Sequence, residues 1–92
     1  MDSIISNKRE CYICRTTLNL HKHHIFFGRA NRKNSEKYGC WCYLCANHHN
    51  FTNFSVHMNH ELDVKMKKLC QEKFEDIYDH DKFMGVFGKN WL

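Results

Sequence analysis

The chain contains no proline, and its 92 residues include no low-complexity tract and no internal repeat. Nothing therefore marks a linker or a boundary between domains. The sequence also lacks an apolar run of the length that a signal peptide or a membrane span requires. We therefore expect one domain, located in the cytosol and without a membrane partner.

The length of the chain limits how much core it can bury. Domains of this size are marginally stable unless a cross-link, a metal ion or a partner adds to the core. The hydrophobic content of 42% and the aromatic content of 14% are those of a folded protein. We expect residues 1–10, which are mostly polar, to be flexible, and residues 11–92 to form the folded domain.

Positive charge is concentrated in the first half of the chain. Residues 1–50 contain eight basic residues and three acidic ones, whereas residues 51–92 contain six basic and seven acidic ones. A polyanion is the partner that such a distribution favours. A solvated surface that is merely basic is the alternative.

Cysteine and histidine are abundant, with six and eight residues. A disulfide framework would need an oxidising compartment, which nothing in the sequence indicates. Cys11 and Cys14 form one pair with two intervening residues, and Cys45 and His48 form another. Two such pairs are the common ligand set of a tetrahedral zinc ion. We therefore predict a structural zinc site at these four residues.

Three cysteines remain outside this ligand set. Cys42 and Cys45 also have the two-residue spacing, but that pairing would leave His48 without a role. We therefore expect Cys42 to be a buried core residue, as free cysteines commonly are, and we expect the same of Cys40 and Cys70.

Hydropathy predicts a β-hairpin followed by helices. Residues 18–27 and 40–44 have the composition of strands, and the polar, basic residues 29–39 between them are expected to form a loop. A short helical turn follows from Ala46, and a longer helix, capped by Asn59, is expected to reach about Tyr78.

The longer helix has one apolar stripe. Its residues recur at spacings of three and four: Leu62, Met66, Leu69, Cys70, Phe74 and Ile77. A last short helix is expected from Lys82 to Phe87, ending at Gly88. The longer helix would cover the hairpin with this stripe, and its lysines could alternatively lie on a DNA duplex.

A histidine pair lies at the end of the first predicted strand. Neighbouring residues on a strand point to opposite sides, so His23 and His24 cannot both bind one ion and are suited to two different tasks. In metal-assisted phosphodiester hydrolysis, one group holds the ion and another takes a proton from water.

The sequence HHI at residues 23–25, followed by LCANHH at residues 44–49, resembles the HNH endonucleases. The paired zinc ligands resemble those of the zinc-containing members of that family. A closer resemblance is to small HNH proteins of bacteriophages, in residues 27–39, 56–63 and 87–91. The resemblance implies an α+β domain of the ββα-metal, treble-clef-like type, with structural zinc and C-terminal helices.

The same resemblance implies DNA hydrolysis and assigns roles to the histidines. His24 would be the general base, and His23, His49 and His57 would bind a catalytic divalent ion, namely Mg²⁺, Mn²⁺, Ni²⁺ or Zn²⁺. Asn53, one helical turn after His49, is the alternative to His57 as the last ligand.

The family's asparagine is replaced in this chain. Cys40 occupies its place, and Asn31 or Asn34 would take over its task of orienting the base. Four basic residues in the predicted loop would hold DNA phosphates: Arg29, Arg32, Lys33 and Lys37. His21, close to the site, is expected to contact phosphate or to have no role.

Two other functions fit parts of the pattern. A zinc-stabilised module could bind DNA without cutting it, and a phage-encoded adaptor or inhibitor would instead bind a host protein. A nuclease of this size that cuts both strands would act as a homodimer or with a recombination or packaging partner, in the cytosol of a bacterial host if it is phage-encoded.

Overall fold

The computed structural model describes residues 2–51, 55 and 58–92. The elements are β1 (Leu20–His24), α1 (Arg29–Tyr38), β2 (Trp41–Cys45), a π-helical turn (Asn47–Phe51), α2 (His60–Ile77) and α3 (His80–Phe87). The chain is therefore a small α+β domain, as predicted, with a two-stranded antiparallel sheet. No helix in the described part of the chain is both long enough and apolar enough to cross a membrane.

The sheet confirms the predicted hairpin. Strands β1 and β2 pair along their whole length, and β2 begins one residue later than the predicted segment 40–44. Side chains alternate along a strand, so His21 and His23 lie on one side of β1, and Lys22 and His24 lie on the other. The sheet therefore separates the two members of the histidine pair.

Strand β1 is shorter than predicted, because the chain leaves the regular ladder after His24. The next two residues turn into the core, where Ile25 and Phe26 are almost completely buried. The backbone N–H of Ile25 still donates to the carbonyl of Cys40, at 2.9 Å. The apolar end of the predicted strand thus packs as core rather than continuing the sheet.

Residues 29–39 form helix α1 and its C-cap, so the prediction of a loop here was wrong. The segment is polar but rich in good helix formers, and its end is defined by Gly39, which has a left-handed φ of 73°. The buried Ser35 side chain fixes the helix to the sheet. Its hydroxyl donates to the Phe26 carbonyl at 2.6 Å and accepts from the Phe26 N–H at 3.2 Å.

Helix α2 agrees closely with its prediction. The Asn59 side chain caps it by accepting a backbone N–H at 3.1 Å. Three members of the predicted stripe, Met66, Cys70 and Phe74, are buried, but Ile77 is 54% exposed. The apolar face therefore ends one turn before the helix does.

Helix α3 begins two residues earlier than predicted. The Asp79 side chain accepts the Lys82 backbone N–H at 2.7 Å and so supplies an N-cap before His80. The helix ends as predicted at Gly88, where φ is 75°.

The core has two parts. One consists of Ile25, Phe26, Cys40, Cys70, Phe74, Phe83 and Phe87. The other consists of Cys11, Cys42, Leu44, Cys45 and Met66. The prediction that the three cysteines at positions 40, 42 and 70 are buried is confirmed.

The N-terminal segment contacts this core. Residues 1–10 were expected to be flexible, yet Ile4 and Ile5 pack against the buried clusters. The Ile4 N–H donates to the Gly39 carbonyl at 2.9 Å, and the Ser3 hydroxyl bonds to the Trp41 carbonyl. Part of this segment therefore completes the packing beside the start of β2.

Candidate metal centre and histidine cleft

A tight turn presents the first two cysteines. The Arg15 N–H donates to the Cys11 carbonyl at 2.9 Å and closes the turn that carries Cys14. The Tyr12 N–H donates to the Tyr43 carbonyl at 2.9 Å, which fixes the turn against β2. The turn thus brings one pair of potential ligands close to the other, at the end of that strand.

The four predicted zinc ligands converge, and we call them the Cys/His centre: Cys11, Cys14, Cys45 and His48. Their ligand atoms all lie within 4.8 Å of one another. The Cys45 Sγ and His48 Nδ1 atoms are 3.2 Å apart, the Cys11 Sγ and His48 Nδ1 atoms 3.7 Å, and the Cys14 and Cys45 Sγ atoms 3.8 Å.

These separations suit a tetrahedral metal ion. Metal–ligand distances of about 2.3 Å for sulfur and about 2.0–2.1 Å for nitrogen imply ligand–ligand separations of roughly 3.6–3.8 Å. The separations of 3.7 and 3.8 Å fall in that range, the 3.2 Å separation of Cys45 Sγ and His48 Nδ1 is shorter, and no separation exceeds 4.8 Å. The Cys/His centre can therefore hold a metal such as zinc.

Backbone groups favour an ionised ligand in this centre. Burial raises the pKa of the Cys11 thiol, but hydrogen bonds from backbone groups of Cys14, Cys45 and Ile13 more than offset that effect and lower it to about 6. Cys42 is different, because burial and the neighbouring Cys11 charge raise the pKa of its thiol to about 12. The geometry and the charges therefore both favour Cys11, and not Cys42, as a metal ligand.

Three histidines form a second cluster beside the sheet. His23 is buried, and its ring centroid lies 5.3 Å from that of His49. The structure therefore brings together two of the predicted catalytic metal ligands. His57 and Asn53, the candidates for the last ligand, lie outside the described residues.

His21 also joins this cluster, although it was expected to contact phosphate or to have no role. Its Nδ1 atom lies 3.0 Å from Nδ1 of His49. The sequence did contain the signal, because residues two apart on a strand share a face and His21 precedes His23 by two.

His24 lies on the opposite side of β1, against helix α1. Its Nε2 atom is 2.8 Å from Oε2 of Glu36, and the other carboxylate oxygen accepts from Lys22 Nζ at 2.6 Å. These hydrogen bonds, that from Lys22 more than that from His24, lower the pKa of Glu36. Glu36 was not among the predicted site residues, because the helix that carries it was not predicted.

One of the two predicted substitutes for the family's asparagine, Asn34, has its side chain engaged away from His24. Asn34 instead donates to the Val86 carbonyl at 3.0 Å and ties α1 to α3. The carboxylate of Glu36 lies within hydrogen-bond distance of His24.

Most of the predicted phosphate-binding residues gather in one surface depression, which we call the basic groove. It has a volume of about 530 Å³ and is lined by Lys22, His24, Arg29, Arg32, Lys33 and Glu36. Lys37 is not part of this lining, and its ammonium lies 5.4 Å from the Tyr38 ring centroid.

A smaller depression, which we call the histidine cleft, joins both sides of the hairpin end. Its volume is about 250 Å³, and it is lined by Lys22, His23, His24, Phe27, Arg32 and His49. Arg32 lines both depressions. The lining of this cleft therefore includes imidazoles from both faces of β1 beside positive charge, with His23 itself almost completely buried.

Comparison with protein-family models, with curated proteins and with solved structures finds no match to this chain. The support for a function is therefore the chemistry of the residues themselves.

Proposed function

We propose that this chain is an HNH-type, metal-dependent endonuclease of the ββα-metal class that hydrolyses DNA phosphodiester bonds. The observation that carries the proposal is the histidine cleft, which presents His23, His24, His49 and Arg32 to one space. An imidazole pair for an ion, a separate imidazole for a proton and a cation for a phosphate are the groups that such a hydrolysis needs.

The Cys/His centre would hold a structural zinc ion. Its four donors come from the N-terminal turn, the end of β2 and the π-helical turn. Closure of this centre would fix His48 and, with it, the next residue, His49. Structural zinc would thereby position one side of the histidine cleft.

His23, His49 and His57 would hold the catalytic ion. When bound, a divalent ion supplies positive charge that stabilises the scissile phosphate and the leaving oxygen. Three imidazole donors favour Mn²⁺, Ni²⁺ or Zn²⁺ over Mg²⁺, which prefers oxygen ligands. Asn53 remains the alternative to His57.

His24 would act as the general base. It lies on the opposite face of β1 from His23, so it remains available to take a proton from the attacking water. Its side chain is 14% exposed, which leaves it open to the cleft rather than enclosed in the core.

The basic groove would hold the DNA backbone on either side of the scissile bond. Arg29, Arg32 and Lys33 follow the spacing of one helical face on α1, and Lys37 lies one turn beyond Lys33. Contacts to phosphates fix the position of DNA but carry no base information, so we expect weak sequence preference.

Cleavage of supercoiled plasmid in the presence of Mn²⁺ tests this proposal. We expect nicking by the unaltered protein and a loss of about 10²–10⁴-fold in His24→Ala, the usual contribution of a general base. The matched control is His80→Ala, because His80 is an exposed histidine on α3 that pairs with Glu75. DNA binding without nicking by the unaltered protein would support a non-catalytic module, and an adaptor would neither bind nor cut.

A further inference from the structure

We propose that Glu36 is the positioning residue of His24 and that it leaves Nδ1 as the ring nitrogen that accepts the proton from water. This inference rests on the proposed function for its catalytic part. Its structural part, the choice of ring nitrogen, holds or fails independently of any cleavage.

The hydrogen-bonding capacities of the two groups determine the tautomer. An ionised carboxylate only accepts hydrogen bonds, and a neutral imidazole donates from one nitrogen and accepts at the other. The Nε2 atom of His24 lies 2.8 Å from Oε2 of Glu36, so Nε2 carries the hydrogen. The lone pair is then on Nδ1, which is the atom able to take a proton.

The carboxylate is itself held in place. Lys22 donates to Oε1 at 2.6 Å, so each oxygen of Glu36 has a separate partner. The Lys22 ammonium also lies 4.1 Å from the Trp41 ring centroid, which restricts the lysine. A carboxylate with both oxygens engaged cannot easily rotate away from His24.

The backbone beside Glu36 is equally constrained. Its neighbour Ser35 is fully buried and bonds both the carbonyl and the N–H of Phe26, two residues after His24. Helix α1 is thus fixed to the end of β1 next to the contact between His24 and Glu36. The orientation of the His24 imidazole is therefore fixed by both β1, which carries it, and α1, which carries Glu36.

The negative charge of Glu36 indicates a role other than binding DNA. Among the described residues that line the basic groove, Glu36 is the single acid. The others are Lys22 and His24 of β1 and Arg29, Arg32 and Lys33 of α1. An acid at this place opposes the binding of a polyanion. Its removal should therefore leave DNA affinity unchanged or raise it, whereas loss of imidazole orientation should slow the chemical step.

The test compares Glu36→Ala with Glu75→Ala, which removes a similar carboxylate–histidine pair far along the chain. Nitrogen-detected histidine spectra report which ring nitrogen carries the hydrogen. We expect the Nε2–H form of His24 in the unaltered protein and in Glu75→Ala, and a mixture of tautomers in Glu36→Ala. A His24 proton on Nδ1 in the unaltered protein, or the same tautomer in both variants, would overturn the proposal.

Steady-state cleavage supplies the second measurement. We expect kcat to fall at least about 10- to 100-fold in Glu36→Ala, the range seen when the hydrogen-bonded partner of a metal-binding histidine is removed, with KM unchanged or lower. Glu36→Gln keeps the shape of the side chain and one hydrogen-bond acceptor, so its kcat should lie between those of the unaltered protein and Glu36→Ala. A KM increase with unchanged kcat would assign Glu36 to binding and contradict the proposal.

The two measurements separate the possible failures. If the unaltered protein does not cleave DNA but the tautomer responds to Glu36→Ala, the proposed function fails and the pairing stands. If cleavage depends on His24 but neither tautomer nor kcat responds to Glu36→Ala, the nuclease stands and the role of Glu36 fails. Glu36 lies on an exposed helical position where alanine is a good helix former, so both variants are expected to fold.

Discussion

Adjacent residues of the chain have sharply different surroundings. His23 is buried near His49, whereas His24 contacts Glu36 across the sheet. Similarly, the Cys11 pKa is lowered while the Cys42 pKa is raised, although both thiols are buried in the same cluster. Residue type alone therefore does not assign a role, and the direction of each side chain does.

Thiol reactivity tests these differences residue by residue. We expect an alkylating reagent at about pH 8 to leave Cys42 and Cys70 unmodified in the folded, zinc-loaded protein. Burial raises the pKa of Cys42 to about 12, and the hydrogen bond with Cys40 together with burial raises that of Cys70. Mass spectrometry of peptides, compared with a denatured sample, provides the measurement.

The same thiols give the fold a pH dependence. Because the folded-state pKa of Cys42 lies above its ordinary value of 9.0, the stability gained from the neutral thiol is present below that pH and is lost as the pH rises towards about 12. In the alkylation experiment, rapid labelling of Cys42 in the folded protein at about pH 8 would contradict the raised pKa of this thiol.

The elements differ in how far the sequence predicted them. Helix α2 was predicted with its N-cap, because its apolar residues recur with the helical period. Helix α1 was missed because its one buried residue is Ser35, and hydrophobic periodicity has no signal for a helix held by a serine. The positions of Glu36 and of the basic residues on one groove could not be predicted without that helix.

The glycine that ends α1 allows a direct test of this element. A Cβ atom on Gly39 would lie 2.2 Å from the backbone oxygen of Asp2, and φ is 73° there. Gly88 has a similar φ of 75° but open space around it. We expect Gly88→Ala to lower the free energy of unfolding by about 1–2 kcal/mol, because of the left-handed backbone alone. Gly39→Ala should lower it by at least about 1 kcal/mol more. Denaturant unfolding measures both, and equal losses would contradict the packing of the N-terminal segment.

The face of α1 gives a second test. Arg32 lines both the basic groove and the histidine cleft, whereas Lys37 lines neither. We expect Arg32→Ala to lower kcat/KM for plasmid cleavage by about 10²- to 10³-fold, the range seen when a group that stabilises transition-state charge is removed. Lys37→Ala should have a much smaller effect that salt suppresses, because its charge acts from a distance. Equal effects of the two variants would contradict the assignment.

At the scale of the whole molecule, the metal centre and the core are parts of one structure. Cys11 and Cys45 belong both to a buried cluster and to the Cys/His centre. The sequence predicted this centre, because the spacing within each ligand pair is local and a tetrahedral ion needs the four donors that two such pairs supply. It did not predict that His21 joins His49 or that Glu36 contacts His24, because both depend on contacts between elements.

Removal of the metal should unfold the chain. Zinc binding in small domains is worth about 10–16 kcal/mol, which is comparable with the whole stability of a typical domain, about 5–15 kcal/mol. We expect a strong chelator, or the variant His48→Ala, to abolish the cooperative thermal transition seen by circular dichroism. His80→Ala should retain that transition, since His80 lies on the surface of α3. Unchanged melting after complete metal removal would show that the core is sufficient by itself.

In the proposed function, the two faces of β1 carry different parts of one hydrolytic site. The rate of plasmid nicking as a function of Mn²⁺ concentration, for the zinc-loaded protein, His49→Ala and His24→Ala, tests it most directly. We expect metal-dependent nicking by the unaltered protein, a requirement for more Mn²⁺ in His49→Ala, and in His24→Ala a low rate that no Mn²⁺ concentration restores. No nicking by the unaltered protein at any Mn²⁺ concentration, or recovery of His24→Ala by added metal, would contradict it.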